Sequence, residues 1–306
     1  MADLRSGTLV EHTTLGVGKI VAVEANAIHV FFPEADRRFA AKLRLPTARP
    51  LLRTEGVAPD SWLEGLSAFT LDPKVGRYAM AASWITHDEA LDRFHAVYPK
   101  AFADPVYAGR KDGRGARWRA AHERWVEVFG NAHGERLGSA DTGATVKRLL
   151  DVEKRVVPLH LPADVEAVKA ALSGPGAKPF CVALAELLSM PSPGRARFDR
   201  LFAAARCLPV APEQQWLVAT LFPFVAAPAR HVLLRPRESC EAALRLGFAL
   251  GDASAPAWPA YAALRATSAR LLERLAPLGA RDFVDVEAFL HVTATTAKRR
   301  TARSRS

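Results

Sequence analysis

Apolar and polar residues alternate at a period of two along Gly7–Leu45, and after Asp60 the apolar positions recur every three to four residues. The first pattern predicts short strands and the second a succession of helices. Thr8–His12 is a short extended run, and Gly18–Glu24 is rich in β-branched residues. In Ala27–Phe32 the residues Ile28, Val30 and Phe32 alternate with Ala27, His29 and Phe31. Arg37–Leu43 supplies a fourth alternating run, with Phe39, Ala41 and Leu43 opposite Arg38, Ala40 and Lys42. Asn26 tolerates left-handed backbone and stands where a tight hairpin joins the second and third runs. Gly16 and Gly18 flank Val17, where a sharp turn into the second strand is expected. Four short, bent strands predict a small, strongly curved antiparallel barrel. Ala48–Ser61, with Pro50, Gly56 and Pro59, reads as a linker.

Helical signals then dominate. Thr86-x-x-Glu89 forms a capping box that opens a helix striped by Leu91, Phe94, His95 and Tyr98 and stopped by Pro99. Arg117–Phe129 carries Trp118, His122, Trp125 and Phe129 on one face, a stripe expected to be core. Asp141 or Thr142 caps a helix through Leu149, and Pro162 opens another through Val165, Val168 and Leu172. Phe180–Met190 is nearly all apolar and predicts a central buried helix, broken by Pro191–Gly194. Phe198, Leu201, Phe202 and Ala205 stripe the next helix. Pro212 starts one that Pro223 is expected to end. Ser239 caps a helix ending near Gly247; Tyr261, Leu264, Leu271 and Leu275 share one face of a later one. Asp282 caps the last, and capping accounts for Asp282 and Asp285 better than a paired-carboxylate site does. No fixed period emerges, so no solenoid is expected. The chain is read as mainly α: a barrel over 1–55, a larger all-helical region over 60–297 divisible near 191–194, and a disordered basic tail over 298–306.

Composition and charge add a direction. The 306 residues suffice for about two domains with proper cores. Cys181, Cys207 and Cys240 are too far apart for a disulfide frame or zinc knuckle and are expected as reduced core residues. No apolar run is long enough for a membrane span, no secretory pattern opens the chain, and a cytoplasmic location without membrane partners is expected. High Ala, Arg and Pro usage fits a GC-rich bacterial genome. The net charge is +10, and Lys298, Arg299, Arg300, Arg303 and Arg305 in the tail supply half of it. Such a tail reads as a phosphate-seeking arm or as a solvated terminus. Arg110, Lys111, Arg114, Arg117 and Arg119 crowd the start of the Arg117–Phe129 helix, against the macrodipole. An acidic partner such as nucleic acid explains the cluster, and so do acids elsewhere in the same fold.

The pattern Gly7-x-x-Val10-x-His12-x-x-x-Gly16-x-Gly18-x-Ile20-x-x-Val23 resembles the Tudor/SH3-like barrels of CarD-type transcription regulators. Related barrels occur in transcription-repair coupling factors and at the C-termini of UvrD-type helicases. The resemblance covers under a sixth of the chain. It implies a protein-docking module, often for RNA polymerase, beside machinery that handles DNA. The barrel's outward face, with His29, Phe31, Arg38 and Lys42, is the expected docking surface. No catalytic motif stands out: no phosphate loop, H-E-x-x-H helix, C-x-x-C pair or G-x-S-x-G elbow occurs, and no metal or cofactor site is expected. The leading expectation is a non-catalytic binding protein of DNA or the transcription machinery, with the basic cluster and tail on phosphate. The alternatives are an effector or enzyme subunit of a nucleic-acid-processing or phage-defence system with a dispersed active site, and a structural adaptor between proteins.

Overall fold

The computed structural model describes residues 4–109, 113–130, 137, 141–189 and 194–295. Helix accounts for 57% and strand for 12%, so the chain is mainly helical with a small sheet. It divides into two compact units, Met1–His87 with Leu244–Ala249, and Asp88–Ala243 with Leu250–Ser306.

The first unit is built on a curled antiparallel sheet of β1 (Leu9–His12), β2 (Gly16–Val23), β3 (Ala27–Phe31), β4 (Ala41–Arg44) and β5 (Leu52–Arg53), in the order β4-β3-β2-β1-β5. Val10, Ile20, Ile28, Val30 and Phe32 form its core, each buried side chain contributing about 1.5–3 kcal/mol. A register shift between Ile20 and Ala22 in the β2–β3 ladder marks a bulge, which bends the sheet. β5 lies inside the stretch expected to be a linker: Leu52 and Arg53 pair with His12 and Glu11.

β3 is buried along its whole length, which corrects the expectation that half of it faces outward. Phe31 packs edge-on against Phe69 and Trp84, with ring centroids 5.3 and 5.7 Å away. These partners come from a region read as helical. After α1 (Leu45–Ala48) and α2 (Ser61–Gly65, capped by Asp60), a second hairpin forms from β6 (Phe69–Asp72) and β7 (Arg77–Met80). It joins the chain just before β4, where Ala40 N–H donates to the Tyr78 carbonyl at 2.8 Å and Met80 N–H to the Arg38 carbonyl at 2.9 Å. Ser67 and Ala68 both donate to the Gly247 carbonyl, and Trp62 stacks edge-on against Phe248 at 4.7 Å. The sequence boundary at 55–60 therefore falls inside this unit.

Gly16 and Gly18 serve different needs. Gly16 has φ +77° at the β1–β2 turn, with nothing within 4 Å of an added Cβ. Gly18 lies within β2, where a Cβ would sit 2.4 Å from Phe32 Cδ1 and 2.9 Å from the Phe31 carbonyl oxygen. Gly18→Ala is therefore expected to cost about 1–3 kcal/mol through overpacking. Gly16→Asn should cost less, because Asn tolerates left-handed backbone. Urea midpoints of the two variants check this order, and equal losses would contradict it.

The second unit contains most of α3 (His87–Val97), then α4 (Arg114–Phe129), α5 (Thr142–Glu153), α6 (Pro162–Ser173) and α7 (Ala177–Leu188). It continues with α8 (Arg195–Arg206), α9 (Pro212–Ala226), most of α10 (Pro236–Arg245), α11 (Trp258–Leu275) and α12 (Phe283–Thr295). α9 is its axis, buried continuously from Gln215 to Ala226 and packed against α4, α6, α7 and α8. Pro223 does not end this helix, because burial on all sides carries it one turn further. Trp118, Trp125 and Phe129 of α4 are core residues, as their spacing predicts.

Candidate functional site

Of the basic residues expected to meet phosphate, Arg110, Lys111, Lys298, Arg299, Arg300, Arg303 and Arg305 lie outside the described residues. Arg114 opens α4 and turns inward. Its guanidinium makes a two-pronged contact with Glu287 of α12, Nε to Oε2 at 2.9 Å and Nη2 to Oε1 at 2.5 Å, and Trp118 Nε1 donates to the same carboxylate at 3.1 Å. Arg114 is only 9% exposed. Arg119 donates to Asp282 at 2.9 Å and to Asp285 at 2.7 Å. Asp285 is fully buried and also accepts from the Tyr107 hydroxyl at 2.5 Å and the Arg281 N–H at 2.7 Å. Gly115 makes room for that tyrosine, since a Cβ there would lie 2.5 Å from Tyr107 Cζ. Burial and the neighbouring Asp285 raise the Tyr107 hydroxyl far above its ordinary range, so it stays a donor.

Arg114 and Arg119 are thus corrected from phosphate contacts to the basic half of an internal ion-pair lattice between α4 and α12. Withdrawing either guanidinium toward an external phosphate would leave a buried carboxylate uncompensated. Arg117, between them, is half-buried and has partners of its own.

A second polar group lies beside this lattice. Glu238 of α10 is bonded to His291 Nδ1 and stands 3.4 Å from Arg235 and 3.9 Å from Arg114. Arg235, Glu238 and His291 line a narrow recess with Ser239, Glu287 and Leu290. Burial alone would push the Glu238 carboxyl up; the hydrogen bond with His291, then the charges of Arg235, His291 and Arg114, override it and hold it at about 2. A carboxylate held that low is a weak base at neutral pH. Glu153, at the end of α5, and His160 form a third, buried group. Among the described residues, Glu153 Oε1 and both ring nitrogens of His160 have no hydrogen-bond partner, and Oε1 lies 3.8 Å from Nδ1.

In the first unit, the four residues expected to dock a partner separate into two pairs. His29 and Phe31 are fully buried, so neither can touch a partner. Lys42 and Arg38 remain outside. Glu24 links Lys42 to His29: Oε2 is 2.8 Å from Lys42 Nζ and Oε1 is 2.7 Å from His29 Nε2. Arg38 stands 5.0 Å over the half-exposed Phe39 ring, and the Arg77 guanidinium lies 5.2 Å from the same ring. Arg77 is tied to Asp36 at 3.1 Å and to the Ala40 carbonyl at 2.8 Å. Tyr78 meets His29 edge-on at 5.0 Å. Arg77 and Tyr78 belong to β7, the strand that sequence reasoning missed. Its one local signal is the Asp72-Pro73-Lys74-Val75-Gly76 turn, where Gly76 has φ +64°.

No family model matches this chain, and no curated protein and no solved structure matches it. Among the described residues, no three His, Cys, Asp or Glu side chains gather in a way that could hold a metal ion. Among the same residues, no helix is long and apolar enough to cross a membrane.

Proposed function

We propose that this chain is a non-catalytic binding protein associated with DNA or the transcription machinery. The curled sheet of the first unit, SH3/Tudor-like in kind, is its protein-docking module, and exposed cations of the second unit meet phosphate. The observation that carries the docking half is the surface around Phe39. Two guanidinium groups stand 5.0 and 5.2 Å from the centroid of a half-exposed aromatic ring. Arg77 is neutralised by Asp36, while the Arg38 guanidinium has no acidic partner among the described residues, its backbone N–H alone donating to Asp36. An uncommitted guanidinium over an aromatic face is suited to an acidic or aromatic anchor on a partner. The resemblance of the Gly7–Val23 pattern to barrels that dock on transcription proteins supports the same assignment. In the second unit Arg114, Arg119 and Glu238 are each occupied by internal partners, which supports binding over chemistry.

A photo-crosslinking amino acid in place of Arg38, in the full chain, is expected to join a discrete protein of the DNA or transcription machinery. The same amino acid in place of Lys178, an exposed position on α7, is the control. Equal, diffuse labelling from both positions would contradict the docking role.

A further inference from the structure

With Arg114 and Arg119 engaged internally, the free positive charge of the second unit lies elsewhere. α5 and the turn that closes it carry Lys147, Arg148, Lys154 and Arg155, all exposed. Lys154 N–H donates to the Leu150 carbonyl at 3.1 Å and Arg155 N–H to the Val152 carbonyl at 3.1 Å, so helical winding continues through both. At 3.6 residues per turn, positions 147, 148, 151, 154 and 155 fall within about 120° of arc. Asp151 is the acid in that arc, and Arg124 occupies it at 2.6 Å while also holding Glu127 at 2.7 Å. None of the four cations has an acidic partner among the described residues. Among the other exposed helical cations of this unit, Lys169 pairs with Glu166 at 2.9 Å, Arg195 with Asp199 at 3.4 Å and Arg200 with Glu186 at 3.0 Å, whereas Lys178 and Arg237, without an acidic partner among the described residues, are single charges on separate helices.

Helix energetics account for only half of the stripe. Lys154 and Arg155 suit the negative end of the helix dipole, but Lys147 and Arg148 lie at mid-helix, where the dipole contributes little. The opposite side of α5 buries Thr145, Leu149, Val152 and Glu153. The cations are therefore presented by an anchored element rather than by a mobile loop.

We infer that this face of α5 is a contact surface for the phosphate backbone of duplex nucleic acid. The inference rests on the nucleic-acid half of the function proposed above and names its site. From Lys147 to Arg155 the helix advances about 12 Å, the axial rise of three to four nucleotides of one strand. An anionic membrane fits the charge but not the face, which exposes no large apolar side chain for insertion. Phosphate contacts carry no sequence information, so binding here is tolerant of sequence.

The test is a fluorescence-anisotropy titration of the full chain on a labelled mixed-sequence DNA duplex over a range of salt. The variants are Lys147→Gln/Arg148→Gln/Lys154→Gln/Arg155→Gln and, separately, a chain lacking 298–306. The quadruple variant is expected to flatten the log–log salt slope by about 3–4 units and to weaken binding at least tenfold (about 50 mM salt). Removing the tail is expected to leave the α5 contribution intact. If circular dichroism shows that the quadruple variant is misfolded, the doubles Lys147→Gln/Arg148→Gln and Lys154→Gln/Arg155→Gln are each expected to flatten the slope by about 2 units. Binding by the wild type with an unchanged slope in these variants overturns the α5 site and leaves the proposed function standing. No binding by the wild type at low salt overturns both.

Discussion

Glu287→Ala is expected to destabilise the fold by about 3–5 kcal/mol, read as a shift in the denaturant midpoint at neutral pH. The substitution strands the Arg114 guanidinium, 9% exposed and otherwise only 3.9 Å from Glu238, and removes the acceptor of Trp118 Nε1. Arg114→Ala should cost a similar amount, because it leaves Glu287 with a buried negative charge. Replacing both with apolar residues, Arg114→Met/Glu287→Leu, should recover much of the loss, since the desolvation of both charges is then avoided. A phosphate-binding Arg114 would behave oppositely: Arg114→Ala would weaken nucleic-acid binding with stability unchanged, and that pair of results would refute the internal assignment.

The second large effect has an unusual sign. Glu153→Gln is expected to stabilise the protein by about 1–3 kcal/mol at about pH 8 and to have little effect near pH 4.5. Burial pushes the Glu153 carboxyl from its ordinary 4.5 up to about 7. The folded chain thus holds this proton more tightly than the unfolded chain. The resulting stability is present below pH 4.5 and lost as pH rises through 7. His160 works the other way. Burial, with Arg235 and Arg114 nearby, lowers it from 6.5 to about 3, so its contribution is lost as pH falls through that range. In the wild type the two slopes oppose each other between pH 4.5 and 6.5. Glu153→Gln leaves only the histidine, so stability should rise with pH across that window. Chemical denaturation at several pH values checks this, and a variant less stable than wild type at about pH 8 would show that Glu153 is ionised and satisfied in the fold.

The parts that were legible in the sequence are those whose stabilisation is local or periodic. β1 to β4 could be read because alternation exposes a one-residue choice between core and solvent along each run. Most helices announced themselves through caps and stripes: Asp141 accepts from Ala144 N–H at 2.9 Å and Asp282 from Val284 N–H at 2.9 Å. β5 is two residues long, and neither β6 nor β7 alternates between buried and exposed positions along its four residues. Their pairing is fixed by partners at Glu11–His12 and Arg38–Ala40. Because β6–β7 was unseen, nothing in the AIHVFF run betrayed that its second face is covered. The same distance effect governs Arg114 and Arg119. Their position against the helix dipole correctly showed that α4 alone does not explain them. The acids that do explain them, Asp282, Asp285 and Glu287, come more than 160 positions later in the chain. The α5 stripe escaped notice for a simpler reason: its four cations come as two separated Lys–Arg pairs, and only the helical winding shown by the structure puts both pairs on one face.

The most direct test of the account is the salt dependence of full-chain binding to a mixed-sequence DNA duplex, measured at about 50 and about 200 mM salt. Binding at the lower concentration that weakens by at least tenfold at the higher is the predicted result. Absence of binding at the lower concentration, with the protein folded, would contradict the proposed association with nucleic acid.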